Sequence, residues 1–290
     1  MSSLFSHKFS SIALLCLVFG ATPSLAQERV ISLNGSLTEI VYALKQESLL
    51  VGVDTTSQFP PEATELSSVG YQRALSAEGI LSLQPTLILS TNHAGPETAL
   101  QQINSLGVER ITLQEQYSIE SVIEKIQDVA EALQQDEAGQ ALAKQTLQDF
   151  KQVQARIPSD TAKPRVLFFL GTGNASPSVA GGNTAAAAMI ELAGGDNPFG
   201  NQFEGYKAVN AESMIAAAPD VLFVSSRSFD SVGGLSGVLS LPGVAATPAG
   251  QNKRIYSVDT LLTLGFGPRT PLAIASLLEH LYPPEKTIAP

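Results

Sequence analysis

Leu75-Ser-Ala-Glu-Gly-Ile-Leu-Ser-Leu-Gln-Pro-Thr-Leu-Ile-Leu89 has a second copy in the same chain, Val209-Asn-Ala-Glu-Ser-Met-Ile-Ala-Ala-Ala-Pro-Asp-Val-Leu-Phe223, at a constant offset of 134 residues. Each copy reads as a cap residue (Ser76, Asn210), a short helix opening with a Glu, a Pro stop and a buried strand. Further matches follow in the same order. Arg29-Val-Ile-Ser-Leu33 pairs with Arg165-Val-Leu-Phe-Phe169, and Gly107-Val108 with Gly243-Val244, both at an offset of 136. Arg110-Ile111 and Arg254-Ile255 each read as a strand start. A plan used twice in order implies two similar α/β lobes, each strand-helix-strand-helix-strand, the pattern of a parallel sheet covered on both faces.

Between the copies, Asp136–Ile157 is rich in Ala, Leu, Gln and Lys. Its apolar residues Ala141, Leu142, Leu147, Phe150 and Val153 recur near helical spacing, and Pro158 closes the run. A single helix of that length spans roughly 33 Å and would join the lobes as a stiff spine. The expected organisation is a leader over residues 1–26, a first lobe over 27–135, the spine over 136–158 and a second lobe over 159–290. Ligands of such sheets sit at the carboxyl ends of the strands, so the expected site is the cleft between the lobes.

The first 26 residues differ from the rest. A start with one Lys and no acid leads into apolar Ile12–Gly20, and Ser24-Leu25-Ala26 supplies small residues for cleavage, the three parts of a secretory signal peptide. Cleavage there removes Lys8, so the formal charge of −10 becomes −11, with 16 basic against 27 acidic residues. It also removes Cys16, the only cysteine, and leaves His93 and His280 as the only histidines. No disulfide can then form, and no three-histidine zinc or manganese site can be assembled. The acidic balance, without a Lys/Arg cluster, argues against a nucleic-acid partner. Gly171-Thr-Gly173 lacks the third glycine of a dinucleotide loop, and no nucleophile elbow is present. No catalytic set stands out, so an enzyme is not expected.

Val30–Leu44, Val51-Gly-Val-Asp-Thr-Thr56, Val69-Gly-Tyr-Gln-Arg73, Leu75-Ser-Ala-Glu-Gly79, Ala180–Gly195, Leu241-Pro-Gly-Val244 and Gly265-Phe-Gly-Pro-Arg-Thr270 carry a resemblance over essentially the whole mature chain. The chain resembles periplasmic haemin-binding proteins of the HmuT, ShuT and PhuT type. Cobalamin or ferric-siderophore carriers on the same fold are the alternative, and Val-Gly-Tyr-x-Arg with Gly-Phe-Gly-Pro-Arg-Thr separates the chain from them. The resemblance implies ferric haem as the transported ligand, Tyr71 as its axial iron ligand and Arg73 as the cation beside the phenolate. Ferric iron is hard and suits a phenolate, and a nearby guanidinium stabilises that charge. Arg227, after a second-lobe strand, is implied as a distal or propionate-pairing residue. His93 lies in a first-lobe loop expected to border the cleft and is a lesser candidate ligand. The loop Gly171–Ser176 contains no His, which puts His–Tyr ligation or a second stacked haem in doubt. Glu78 and Glu212, one per lobe, suit helix starts by their charge; the resemblance implies that they dock onto a dimeric inner-membrane permease of an ATP-driven importer. A monomeric carrier, with an outer-membrane haem receptor upstream, completes the expected set of partners.

Overall fold

The computed structural model describes residues 28–171 and 177–283. The leader of residues 1–26 and all but the first residue of the Gly171–Ser176 loop lie outside the described residues. The first lobe comprises β1 (Val30–Ser32), α1 (Gly35–Ala43), β2 (Leu50–Val53), α2 (Ala77–Leu81), β3 (Leu87–Thr91), α3 (Glu97–Ser105), β4 (Glu109–Leu113) and α4 (Ile119–Ala132). The spine is α5 (Asp136–Gln154). It starts at the expected residue and stops four short of Pro158. The second lobe comprises β5 (Val166–Gly171), β6 (Ser178–Ala180), α6 (Ala185–Leu192), β7 (Tyr206–Ala208), α7 (Ala211–Ala217), β8 (Val221–Ser225), α8 (Ser226–Ser231), α9 (Gly234–Leu239), α10 (Pro248–Gln251), β9 (Ile255–Val258), α11 (Thr260–Leu264) and α12 (Thr270–Leu281).

The repeat holds at the level of single hydrogen bonds. Ser76 caps α2 by accepting from the Gly79 N–H, and Asn210 caps α7 by accepting from the Ser213 N–H. Gln84 and Ala218 both take left-handed φ values, +49° and +41°, just before their prolines. Arg29 donates to the Leu83 and Gln84 carbonyls at the end of α2, and Arg165 donates to the Ala217 carbonyl at the end of α7. The carbonyls at and just past each helix end are thus taken by the arginine that precedes the central strand β1 or β5, the sheet neighbour of the strand that follows the helix. The match of Arg110-Ile111 to Arg254-Ile255, by contrast, is one residue out of register: Ile88 pairs with Arg110, whereas its counterpart Leu222 pairs with Ile255.

The first sheet is parallel in the order β2-β1-β3-β4. The second, β7-β6-β5-β8-β9, is parallel only through β5, β8 and β9. β6 and β7 add antiparallel at the edge. The reason is chain length, because the short link from β5 to β6 cannot hold the crossover that a parallel neighbour needs.

Alternation along the strands sends their side chains to opposite faces, one toward a core common to both lobes and the other toward a core of each lobe's own. Val166 and Phe168 enter one core and Leu167 and Phe169 the other; Val30 and Ile31 divide the same way in the first lobe. The first of these cores is continuous between lobes. It joins Val30, Ile40 and Ile126 to Val153 of the spine and on to Phe168, Phe223 and Ile274. Each such side chain contributes about 1.5–3 kcal/mol on full burial. The helices α4 and α5 pack closely because Gly139 faces Ala130, where any Cβ would collide with the Ala130 methyl.

The segment Gly265–Thr270 fastens the second lobe to the first. Phe266 is fully buried and its ring centroid lies 5.4 Å from that of Tyr117. Arg269 donates from Nε to Glu39 Oε2 at 2.9 Å and from Nη2 to Glu39 Oε1. The same guanidinium stacks 3.5 Å from the centre of the Phe59 ring. Burial pushes the Glu39 carboxyl up, and the Arg269 hydrogen bond opposes that shift.

Candidate functional site

Strand order reverses direction between β1 and β3, and the crevice outside their carboxyl ends is where such sheets take ligands. Gln72 occupies that position. It is 8% exposed. Its Oε1 accepts from Asn34 Nδ2 after β1 and from Thr91 Oγ1 at the end of β3, both at 3.4 Å. Its carbonyl accepts from the Gly95 N–H at 2.8 Å, and its own N–H reaches the Asp54 carboxylate. Asp54, after β2, is held in turn by the Thr56 and Ser57 hydroxyls. Burial raises the Asp54 carboxyl, and these hydrogen bonds oppose the rise.

With Gln72 pinned, its neighbours project outward. Tyr71 is 46% exposed and Arg73 is also exposed. Arg73 lies close enough to two further phenols to pull on their ionisation. Tyr117 is raised, first by burial and then by Glu115, with Arg73 lowering it. Tyr206, in the second lobe, is pushed up to about 12 by burial and by Tyr117, with Ala186, Thr184 and Arg73 opposing. One first-lobe cation therefore acts across the gap on a second-lobe residue.

A buried polar chain continues from the pin. Asn34 Oδ1 accepts from the Ser36 hydroxyl at 2.7 Å, and Lys125 Nζ donates to Ser36 Oγ at 3.2 Å and to Glu115 Oε1 at 3.3 Å. Burial lowers the Lys125 pKa, while Glu115 and Glu39 hold it up. His93 Nε2 is buried, 3.9 Å from Glu115 Oε2, and has no hydrogen-bond partner among the described residues. It is turned into this network and away from open space. Arg227 is exposed at the start of α8, directly after β8. His93 and Arg227 are themselves separated by the repeat offset of 134, so each lobe places one basic side chain beyond its central strand. Glu78 and Glu212 are both exposed in the first turn of their helices, outside this network.

The structure thus gathers Tyr71, Arg73 and His93 around Gln72. Sequence reasoning missed Gln72, Tyr117 and Tyr206. Gln72 stands at the unspecified place of the Tyr-x-Arg motif. Nothing local marks Tyr117, and the Gly-Tyr pair at Tyr206 is one residue out of step with the repeat. No group of three or more His, Cys, Asp or Glu suited to a metal occurs among the described residues.

Two α/β lobes clasped around one spine, with polar and aromatic residues at facing strand ends, define a two-lobed solute-binding protein. The chain belongs to the periplasmic binding protein family, whose model matches residues 30–261. Among solved structures it is similar to the periplasmic haem-binding protein BhuT in complex with two haems. The two are 44% identical, with 88% of this chain and 97% of that one covered and a TM-score of 0.84. It is also similar to the apo form of the periplasmic haem-binding protein RhuT from Roseiflexus sp. RS-1, at 42% identity, 88% and 98% coverage and a TM-score of 0.85. By sequence it matches the vitamin B12-binding protein of Vibrio parahaemolyticus at 28% identity, over 87% of this chain and 89% of that protein.

Proposed function

We propose that this protein captures ferric haem in the periplasm and hands it to an ATP-driven importer of the inner membrane. The observation that carries the reading is the exposed Tyr71 and Arg73 on either side of buried Gln72, at the switch point of the first sheet. Haem binding by relatives that are 44% and 42% identical supports it. Tyr71 supplies a phenolate to the iron, and Arg73 is the cation that hydrogen-bonds its oxygen in the complex. Arg227 pairs with a propionate or caps the distal face. His93 borders the cleft with its Nε2 turned toward Glu115 and buried, so a contact with haem would use the exposed edge of the ring.

Residues 1–26 act as the export signal, residues 27–135 and 159–290 form the two lobes, and residues 136–158 connect them. Glu78 and Glu212 dock on the two halves of a permease dimer, with the protein acting as a monomer and an outer-membrane receptor supplying haem upstream. Vitamin B12-binding relatives at 28% identity keep cobalamin as the second reading. Titrating the purified protein with haemin and, separately, with cyanocobalamin decides between them. Saturable binding of haemin alone is expected; saturable binding of cobalamin alone would overturn the haem reading.

A further inference from the structure

The duplication extends upstream of the matched helices. Val69-Gly-Tyr-Gln-Arg-Ala-Leu-Ser-Ala-Glu78 aligns with Glu204-Gly-Tyr-Lys-Ala-Val-Asn-Ala-Glu212 once a single residue is dropped. The backbone agrees: Gly70 has φ +90° and Gly205 has φ +75°. Left-handed backbone of this kind favours glycine, so both tyrosines leave the same kind of turn, each ahead of its lobe's repeated helix. Tyr206 is the second lobe's counterpart of Tyr71.

We infer that Tyr206 is a second ligand-contacting residue, set on the lobe opposite Tyr71 and presenting its ring to the other side of a planar macrocycle. The inference rests on the haem reading above. Tyr206 opens β7, which reaches β5 through β6, and these antiparallel strands have no counterpart in the first lobe. Its phenol faces Thr184 and Ala186 at the start of α6, and it lies within electrostatic reach of Arg73 and Tyr117, both from the first lobe. Tyr117 of the first lobe and Tyr206 of the second both pack, half-buried, against the core that the lobes share, which puts the Tyr206 ring at the junction between them.

The two tyrosines differ in environment, and this divides their roles. Tyr71 is exposed, which leaves its oxygen free to reach a ligand's metal. Tyr206 is half-buried against the shared core with its oxygen turned to Thr184 and Ala186, so its ring face and not its oxygen is offered to a ligand, the role of an aromatic wall. A ring packed against a flat conjugated ligand adds about 0.5–1.5 kcal/mol beyond the area it buries.

The test uses the full mature protein labelled with meta-fluorotyrosine and loaded with gallium protoporphyrin, a diamagnetic stand-in for haemin. Six tyrosines give one fluorine signal each, and the signal missing from Tyr206→Phe identifies residue 206. Loading should shift that signal upfield by the ring current of the porphyrin, an effect that a purely structural tyrosine would not show. Haemin titrations should show roughly tenfold weaker binding for Tyr206→Ala. Tyr206→Phe should stay within about twofold of wild type, since it keeps the ring. Both variants should retain the phenolate charge-transfer band. An unmoved signal on loading would overturn the inference even if Tyr206→Ala were merely unstable. A lost charge-transfer band in Tyr206→Phe would make Tyr206 a ligand and overturn the wall role. Failure of wild type to bind either porphyrin would instead sink the haem reading itself.

Discussion

A short sequence motif singles out Tyr71 and Arg73 as the proposed haem contacts, whereas nothing in it singles out Gln72, the buried residue between them. Gln72 carries no chemistry of its own, and its importance comes from Asn34, Asp54, Thr91 and Gly95 converging on it from three strand ends and a loop. Such convergence is a tertiary fact with no local signature. Gln72→Leu keeps the shape and the backbone bonds but removes the acceptor that Asn34 and Thr91 share. Leaving buried donors without a partner costs about 1–3 kcal/mol, so urea unfolding should show a loss of that size. Haemin should also bind more weakly, because the Tyr71 turn loses its anchor. Wild-type stability together with wild-type haemin affinity in this variant would remove Gln72 from the account.

Among the elements, the repeated helices and central strands were readable from two aligned stretches, and Ser76 and Asn210 cap them as expected. The edge hairpin of the second sheet was not readable. Its strands are three residues each, too short for alternation to register, and the single-residue deletion before Ala208 hid the second Gly-Tyr turn. The spine was read correctly at its start, where Asp136 and Glu137 favour a helix N-terminus. Its end fell earlier than the proline implied. Helices α2 and α7 carry Glu78 and Glu212 outward on separate lobes, and the docking role proposed for them belongs to this scale. Exposed ion pairs contribute only about 0–1 kcal/mol each, but two on one rigid body reinforce each other. Single Glu→Ala changes should therefore reduce haem-dependent stimulation of reconstituted importer ATPase modestly, and the double change much more. Haemin affinity should be unaltered in all three. Normal stimulation by the double variant would leave helix electrostatics as the only role of these acids.

At the scale of the whole molecule, the two lobes share one continuous core and a partly buried ion pair. The sequence marked Gly265–Thr270 by resemblance alone; its work as a clasp appears only where Arg269 meets Glu39 and Phe266 meets Tyr117, partners far away in sequence. Removing Arg269 leaves the buried Glu39 carboxylate without its partner, at a cost of about 1–3 kcal/mol. Arg269→Ala should accordingly lower stability in urea and broaden spin-label distances measured between the lobes, and haemin should dissociate faster. Unchanged distances would mean that the spine and shared core hold the lobes without the clasp. All of this serves one claim, that a preformed cleft offers Tyr71 to ferric iron. The visible absorption spectrum of haemin-loaded protein, recorded for wild type and Tyr71→Phe side by side, tests it most directly. The account predicts a phenolate-to-iron charge-transfer band in wild type that is absent from Tyr71→Phe, with Tyr282→Phe, away from the cleft, as the unaltered control. The same band in Tyr71→Phe would contradict it.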